Sequence, residues 1–373
     1  MKILFVFGTR PEAIKVAPLI KILKEKEGFE IKVCLTGQHR KMLDQVMEFF
    51  EIGADYDLEL MKPNQTLVDI TGDALKGVYH IITSEFLPDY VVVQGDTTTA
   101  LSGALAAFYA KVKVIHIEAG LRSGDKYSPF PEEMNRILIG RIADLHFAPT
   151  QKAYDGLISE GIDRKKIWDV GNTVIDALLL GLDTIKKKNQ EGFNDYFNFL
   201  ERSKRIILVT GHRRENFGEP FEEICYALKQ IAEAHSDVEI VYPVHLNPNV
   251  QDPVARILKN QPRIHLIEPL DYPHLIWLMN MSYLVITDSG GIQEEAPALG
   301  KPVLVMREVT ERTEGVDAGT AKLVGTDRRK IFSEANRLLN DKDAYTRMAK
   351  AVNPYGDGTT CEKILEVLQK QIN

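Results

Sequence analysis

Short apolar runs alternate with segments of helical spacing along almost the whole sequence. In the first half, the apolar runs occupy residues 2–7, 31–36, 90–95, 113–118 and 145–150. Helical patterns lie between them, as at Met42–Phe50 and Ala100–Ala110. Short strands separated by helices predict βαβ units, which build a parallel sheet. Uninterrupted apolar runs such as Val91–Val93 are typical of strands that are buried on both faces.

A second alternating series follows in the other half of the chain. Its apolar runs occupy residues 205–211, 238–245, 264–269, 283–289, 302–307 and 321–325. Between the two series, residues 171–199 show a helical pattern that passes into a polar connection, and Thr359–Lys370 has the pattern of a terminal helix. A chain of 373 residues also favours two domains. We therefore predict an α/β protein with two Rossmann-like, doubly wound parallel-sheet domains, a hinge near Asp169–Thr173, and an interdomain ligand cleft at the carboxyl ends of the strands.

Composition excludes several classes of protein. Lys and Arg number 46 against 53 Asp and Glu, a formal net charge of −7, and nucleic-acid-binding proteins usually carry a basic surplus instead. No apolar stretch approaches the ~18–20 residues of a membrane span, and Arg10 interrupts the first apolar run, which we interpret as a strand and not as a secretory signal. Cys34, Cys225 and Cys361 are far apart and form no metal-binding motif. We expect a cytoplasmic protein with neither a nucleic-acid partner, nor a membrane association, nor a bound metal.

Basic residues follow the first apolar run. Pro11 suits the first position of a helix, and the N–H groups at a helix start form a natural anion site. Arg10 and Lys15 add positive charge to it, although a capped helix with surface cations explains the same residues. Gln38 follows the second apolar run, where a solvated loop is the plainer interpretation.

Three acids in the first half stand at strand or helix ends. Asp96 follows the third run and either caps the next helix or does chemistry. Glu118 ends the fourth run, where a carboxylate is costly unless it is used or paired, with Arg122 as one available partner. Glu132 and Glu133 begin a helix, where acids are favourable in any case, so Glu133 in particular has a structural explanation.

The second half supplies groups suited to a phosphate. His212 follows the run 205–211 beside two arginines, which favours an anion-facing over a purely structural histidine. The turn Ser289-Gly290-Gly291 lets backbone approach a phosphate at a helix start. Glu295, one helical turn later, suits ribose hydroxyls or is simply surface charge, and Arg312 adds a cation. The chain carries neither a dinucleotide-binding glycine fingerprint nor a Walker A motif.

Several long motifs together resemble one family, the non-hydrolysing UDP-N-acetylglucosamine 2-epimerases of bacteria. They are FGTRPEAIK, QGDTTTALSGALAAFY, HIEAGLRSGDKYSPFPEEMNR, VTGHRREN, YPVHLNPNV, TDSGGIQEEAPALGKPVLVMR and NPYGDG. The resemblance runs along nearly the whole chain.

This resemblance implies a GT-B-like fold and a reaction. Residues 1–169, completed by a C-terminal helix at 357–373, would form the first domain, and 170–356 the UDP-binding domain. The protein would be a homodimeric isomerase that interconverts UDP-GlcNAc and UDP-ManNAc without metal, nicotinamide or another cofactor, and would supply ManNAc units for cell-surface polysaccharides.

The resemblance also assigns site residues. The catalytic set would be Asp96, Glu118, Glu132 and His212. The substrate and UDP contacts would be Arg10, Lys15, Ser289, Gly290, Gly291, Glu295 and Arg312. A second, activating UDP-GlcNAc would contact Gln38, Gln65, Arg213 and His245.

The chemistry of the substrate points to elimination. The C2 proton of a nucleotide sugar lies next to the anomeric carbon and not next to a carbonyl, so simple deprotonation and return is unfavourable. Expelling UDP across C1–C2 to give 2-acetamidoglucal, then adding UDP back, fits a chain without the nicotinamide fingerprint. Which acid removes the proton and which returns it stays open.

Three other functions compete with this interpretation. A hydrolysing 2-epimerase shares the fold and the acids but releases ManNAc and UDP. A GT-B glycosyltransferase would explain acids near a UDP, but it leaves the three acids of the first half unexplained. A non-catalytic nucleotide-sugar sensor would not need those acids at all.

Overall fold

The computed structural model describes residues 1–37, 40–62, 64–188 and 190–372. The chain folds into two compact units. Unit 1 consists of Met1–Leu180 together with Tyr355–Asn373, and unit 2 consists of Gly181–Pro354.

Unit 1 is built on a seven-stranded sheet in which every pair of neighbours is parallel. Its strands are β1 (Lys2–Phe7), β2 (Glu30–Leu35), β3 (Tyr56–Asp57), β4 (Tyr90–Gln94), β5 (Lys113–Ile117), β6 (Leu145–Ala148) and β7 (Ile167–Asp169). Their order is β3-β2-β1-β4-β5-β6-β7. The order reverses direction between β1 and β4, and the loops that leave these two strands therefore diverge and open a crevice at their carboxyl ends.

Helices connect these strands. They are α1 (Arg10–Lys24), α2 (Arg40–Phe50), α3 (Leu67–His80) with a π-helical turn at Ile81–Glu85, α4 (Thr98–Tyr109), α5 (Glu132–Ile142), α6 (Gln151–Ser159), a 3₁₀ turn at Arg164–Lys166, and α7 (Thr173–Lys188). Small residues let α4 lie close to the sheet. A Cβ atom at Gly103 would stand 3.1 Å from Val6 and 3.2 Å from Val93.

Unit 2 repeats the plan with a six-stranded parallel sheet. Its strands are β8 (Arg205–Thr210), β9 (Val238–Pro243), β10 (Ile264–Ile267), β11 (Leu284–Thr287), β12 (Val303–Val305) and β13 (Ala321–Leu323), in the order β10-β9-β8-β11-β12-β13. The helices are α8 (Gln190–Tyr196), a 3₁₀ turn at Arg214–Asn216, α9 (Glu219–Ala234), α10 (Pro248–Leu258), α11 (Tyr272–Met281), α12 (Gly290–Ala298), α13 (Thr313–Asp317), α14 (Arg328–Asn340) and α15 (Lys342–Ala349). Here the strand order reverses between β8 and β11.

The last helix, α16 (Thr360–Ile372), belongs to unit 1 and packs on α1. Two hydrogen bonds anchor the returning chain: the N–H of Asn172 donates to the Tyr355 carbonyl at 2.7 Å, and the N–H of Cys361 donates to Asp176 Oδ1 at 2.8 Å. The division between the units falls inside α7, after Leu180, whereas α7 only begins at the end of the predicted hinge segment.

The prediction of two α/β units with doubly wound parallel sheets is confirmed. Sequence reasoning missed the two edge strands of unit 1, β3 and β7. They have only two and three residues, too few to display an apolar run or an alternation.

Gly120 is a position where the fold requires glycine. It follows β5 with a φ of +94°, in the left-handed region, and a Cβ atom there would stand 2.3 Å from the carbonyl oxygen of Ala153 in α6. A backbone atom of a helix cannot move aside as the end of a side chain can.

We expect Gly120→Ala to lower the free energy of unfolding by about 3 kcal/mol or more, because left-handed backbone strain and an unrelievable overlap add together. Gly161→Ala is the matched control: Gly161 also has a positive φ, of +84°, but a Cβ atom there would meet no atom of the described chain within 4 Å. Its cost should be the strain alone, about 1–2 kcal/mol. Urea denaturation of the full chain measures both, and equal losses would contradict the packing argument.

Candidate functional site

The loop after β1 is held by a buried acid of α1. Glu12 Oε2 accepts the N–H groups of Gly8 at 3.1 Å and Thr9 at 2.8 Å, and its Oε1 accepts the Thr97 hydroxyl at 2.7 Å. Burial raises the pKa of Glu12, while these hydrogen bonds oppose the rise. The N–H groups of Gly8 and Thr9 are therefore already bound to a carboxylate of the protein itself. What this loop presents to a ligand is the half-buried Arg10 at the start of α1 and Lys15 one turn later.

Glu118 forms a buried charged contact at this edge of the sheet. Its Oε2 lies 2.5 Å from Lys15 Nζ, with the side chains 6% and 16% exposed, and the same oxygen accepts the amide of Gln94. Glu118 also has a φ of 63°, a conformation uncommon for a residue other than glycine and one that concentrates at functional sites. The alternative partner, Arg122, binds Glu160 instead, at 2.6 and 3.0 Å.

Asp96, beyond the end of β4, is held by α5. Arg136 approaches Asp96 Oδ2 with Nη2 at 2.5 Å and Nε at 3.1 Å, and Asn135 donates to the Asp96 carbonyl at 2.9 Å. The helix cap predicted as an alternative role is filled by Thr97, whose hydroxyl accepts the N–H of Ala100. Sequence reasoning missed Arg136, although it stands three residues after Glu133 on the same face of a helix.

The neighbouring acids Glu132 and Glu133 differ in environment. Glu133 is only 1% exposed and accepts the N–H groups of Ser123 at 3.0 Å and Gly124 at 3.1 Å, while Arg136 Nη1 lies 3.2 Å from it. Glu133 thus fixes the loop that follows Glu118, in line with its structural interpretation. Glu132 is half-buried at the first position of α5, and its side chain forms no ion pair within the described chain.

A buried histidine also supports this edge. His116 Nε2 lies 2.7 Å from the carbonyl oxygen of Gly95, and burial lowers the pKa of His116 to about 3. The ring is therefore neutral and must carry its proton on Nε2 to donate to that carbonyl. Gly95 has a φ of 68° and directly precedes Asp96, so His116 secures the turn that presents the acid. No local pattern predicts this role, because His116 lies inside an apolar run.

In unit 2, the turn after β8 is fixed by a buried acid from β11. Asp288 Oδ2 accepts the N–H groups of His212 and Arg213, each at 2.8 Å, and Arg213 Nε donates to the Asp288 carbonyl at 3.0 Å. The Tyr242 hydroxyl donates to the Gly211 carbonyl at 2.8 Å. The His212 side chain, 47% exposed, stacks on His245 with ring centroids 5.0 Å apart. Partial burial, and secondarily His212, lower the pKa of His245.

The predicted phosphate turn lies at the start of α12. Ser289 is the N-cap, Gly290 and Gly291 are the first helical residues, and a Cβ atom at Gly290 would stand 3.1 Å from the guanidinium carbon of Arg312. Arg312 is therefore placed beside the helix N-terminus, with Nε 2.9 Å from Glu294.

Two further acids complete this region. Arg312 Nη1 lies 2.7 Å from Glu311. Partial burial acts to raise the pKa of Glu311, but the positive charges of Arg312 and Arg307 lower it to about 2. Glu295 is 6% exposed and accepts the Tyr272 hydroxyl at 3.3 Å, so it is not surface charge.

The predicted site residues thus fall into two groups, each at the carboxyl edge of its own sheet. Unit 1 brings together Lys15 and Glu118, with Asp96 after the adjacent strand. Unit 2 brings together His212, Arg213 and His245 around Asp288, and Ser289, Gly290 and Arg312 at α12.

Two residues predicted to contact the activating ligand are left, Gln65 and Gln38. Gln65 precedes α3 and accepts the N–H of Lys62 at 2.8 Å, and Gln38 lies outside the described residues.

In the described ranges, no group of three or more His, Cys, Asp and Glu side chains could hold a metal ion. Nor does any helix within those ranges have the length and apolar character needed to cross a membrane.

Comparison with known proteins gives one consistent result. The model of the UDP-N-acetylglucosamine 2-epimerase family matches residues 21–369. The UDP-N-acetylglucosamine 2-epimerase of Salmonella typhimurium is 55% identical over 371 residues, covering 99% of this chain and 98% of that protein. The enzyme of that name from Escherichia coli K12 is 55% identical over 373 residues, with the same coverage.

Solved structures agree with the sequence comparison. The crystal structure of UDP-GlcNAc 2-epimerase from Neisseria meningitidis bound to UDP-GlcNAc matches with a TM-score of 0.90 and 47% identity, covering 99% of this chain and 100% of that chain. The Methanocaldococcus jannaschii enzyme in complex with UDP-GlcNAc and UDP matches with a TM-score of 0.80 and 35% identity, again covering 99% and 100%. The predicted GT-B-like fold class is confirmed. The chain belongs to the UDP-N-acetylglucosamine 2-epimerase family.

Proposed function

We propose that the protein interconverts UDP-GlcNAc and UDP-ManNAc by eliminating UDP and adding it back, without releasing free sugar. The observation that carries the proposal is the buried Glu118 carboxylate, compensated by Lys15 and held in left-handed backbone beyond the end of β5. A strained, buried, charged contact at a sheet's ligand-binding edge costs stability, and chemistry at that edge explains it.

The acids of unit 1 supply the proton transfers. Inversion at C2 requires one group to remove a proton from one face of the sugar and another to deliver a proton to the opposite face. Asp96, Glu118 and Glu132 are the candidates, and each such transfer contributes about 10²–10⁴-fold to rate. Arg136 and His116 keep Asp96 in place, and Lys15 keeps Glu118 in place.

The groups of unit 2 would stabilise the departing UDP. The N-terminus of α12 directs N–H groups and a positive dipole end toward an anion, and Arg312 stands beside it. His212 adds a donor at the end of β8. Charge that develops on a leaving diphosphate is stabilised most effectively by such preorganised donors. Glu295, buried one turn into the helix, would accept hydrogen bonds from the ribose hydroxyls.

A second UDP-GlcNAc, bound next to the catalytic one, is part of the proposal. Arg213 and His245 are its contacts in unit 2, and Gln38 and Gln65 its contacts in unit 1. The stacking of His245 on His212 supports coupling between the two ligands, because whatever orients His245 also orients a catalytic side chain. A ligand that favours the competent arrangement shifts the population toward it.

A cytoplasmic homodimer that supplies ManNAc units for cell-surface polysaccharides completes the proposal. Apolar side chains on α4 and α5 support the dimer. Phe108 and Tyr109 are 59% and 57% exposed, and Leu138 is 44% exposed, on helices that pack side by side. A second copy of the chain would cover such an apolar surface.

Product analysis tests the proposed function most simply. Incubation with UDP-GlcNAc alone should yield UDP-ManNAc, with intact nucleotide sugar conserved overall. Stoichiometric free ManNAc and UDP would identify a hydrolysing epimerase. Turnover only when an acceptor is added would identify a glycosyltransferase, and binding without turnover a sensor.

Replacing the acids separates catalysis from binding. Asp96→Asn, Glu118→Gln and Glu132→Gln should each lower kcat by about 10²-fold or more, as loss of an acid or base usually does. UDP affinity, measured by calorimetry, should persist in all three, whereas Glu295→Gln should weaken it. Glu30→Gln is the control, since Glu30 is a 52% exposed carboxylate at the opposite end of β2. Near-normal turnover in any of the three acid variants would remove that residue from the catalytic set.

The activating ligand predicts cooperative kinetics. Initial rates should depend sigmoidally on UDP-GlcNAc, and a trace of UDP-GlcNAc should accelerate the slow reverse reaction from UDP-ManNAc. Gln65→Ala and His245→Ala should flatten the sigmoid. His80→Ala, which alters a 66% exposed histidine of α3, should leave it unchanged. Hyperbolic kinetics in the unmodified protein would defeat the activation proposal alone.

A further inference from the structure

Asp288 has one carboxylate oxygen that the turn after β8 does not use. The side chain is completely buried. Its Oδ2 accepts two backbone N–H groups, but its Oδ1 has no hydrogen-bond partner among the described residues. An unpartnered charged oxygen away from water is costly, and in native structures such atoms call for a specific explanation.

The side chain that faces this oxygen is His212. Its Nδ1 lies 3.8 Å from Asp288 Oδ1, too far for a hydrogen bond but within reach of a small rotation of the imidazole. The backbone N–H of the same histidine is already bound to the other oxygen of Asp288. Asp288 therefore holds the turn that carries His212 and also offers a vacant acceptor next to its ring.

We propose that Asp288 is a positioning residue for His212: when the diphosphate of a nucleotide binds at α12, the imidazole turns and binds as the doubly protonated imidazolium, in which Nδ1–H donates to Asp288 Oδ1 and Nε2–H donates to the diphosphate. The inference rests on the proposed function, since it assigns His212 to a diphosphate. A carboxylate that accepts one ring N–H is a general way to orient the imidazole and to stabilise its charged form.

The charges around His212 favour this arrangement. Arg213 is its neighbour in sequence, and His245 stacks on its ring. Glu311 is occupied by Arg307 and Arg312, with Arg213 Nη2 at 3.8 Å. Asp288 is the acid that faces the His212 ring, and its buried charge supports a histidine that donates to a diphosphate.

Asp288→Asn separates this role from that of anchoring the turn. The amide oxygen still accepts the two N–H groups, but the amide nitrogen that replaces Oδ1 is a donor and cannot accept Nδ1–H. We expect kcat to fall at least tenfold, because the amide pairs only with the neutral ring and the charge on the leaving diphosphate is then less stabilised, with KM and UDP affinity within about threefold of normal.

The control is Asp341→Asn. Asp341 also holds two backbone N–H groups of unit 2 with its carboxylate, those of Asp343 and Ala344 at 2.9 Å, but it stands at the start of α15 and not beside His212. Its amide variant should turn over normally. A comparable loss in both variants would mean that the N–H anchoring alone explains Asp288.

A double-mutant cycle and a spectrum complete the test. In a His212→Gln background, adding Asp288→Asn should change kcat less than about twofold, because the two residues act as one unit. Nitrogen-15 spectra of histidine-labelled protein with UDP should show His212 protonated on both ring nitrogens in the unmodified chain and on Nε2 alone in Asp288→Asn. An undiminished loss in the His212→Gln background, or the same protonation state in both proteins, would overturn the proposal. If UDP binds but no epimerisation is detected, the proposed function is overturned, and the spectrum decides whether the contact between Asp288 and His212 forms. If UDP does not bind, the proposed contact is overturned as well.

Discussion

Buried carboxylates that accept backbone N–H groups hold the loops at the carboxyl edges of both sheets. Glu12 fixes the loop after β1, Glu133 the loop after β5, and Asp288 the turn after β8. Each is almost fully buried, and each accepts two N–H groups of a loop that leaves a central strand. A charge-assisted hydrogen bond to backbone is stronger than a neutral one, so these loops gain rigidity without a long hydrophobic contact. The side chains proposed to do chemistry, which include Lys15, Glu118 and His212, stand on or beside these loops.

A second class of acid faces side-chain cations and not the backbone. Glu118 with Lys15, and Asp96 with Arg136, lie beyond the ends of neighbouring strands β5 and β4. Buried and partly buried ion pairs of this kind rarely stabilise a fold more than apolar packing would, so their position at the ligand-binding edge calls for a functional explanation. In unit 2, the corresponding edge presents groups that bind an anion: a helix N-terminus, Arg312 and His212. The division matches the needs of elimination, in which one part of the substrate exchanges a proton and another departs as an anion.

The sequence predicts the framework well because its signals are periodic and repeated. Runs such as β1 and β8 are long enough to be recognised, and residues at their ends lie together as a consequence of parallel topology. The different roles of the individual acids are harder to predict from the sequence. Glu132 and Glu133 are identical in type and adjacent in sequence, yet only Glu133 points to backbone N–H groups. Sequence patterns predict no role for Arg136, His116 or Asp288. Their partners are brought to them by the tertiary structure, and such contacts produce no local pattern in the sequence. The pairing of Glu118 with Lys15, 103 residues earlier, belongs to the same class.

In the proposed reaction, UDP leaves and returns across C1–C2, and the C2 proton is lost to a protein group. Running the reaction of UDP-GlcNAc in D₂O and analysing the product by mass spectrometry and proton NMR measures this directly. We expect one deuterium atom at C2 of UDP-ManNAc, incorporated at a rate equal to epimerisation and unaffected by added NAD. Retention of the original hydrogen at C2 in the epimerised product would contradict it.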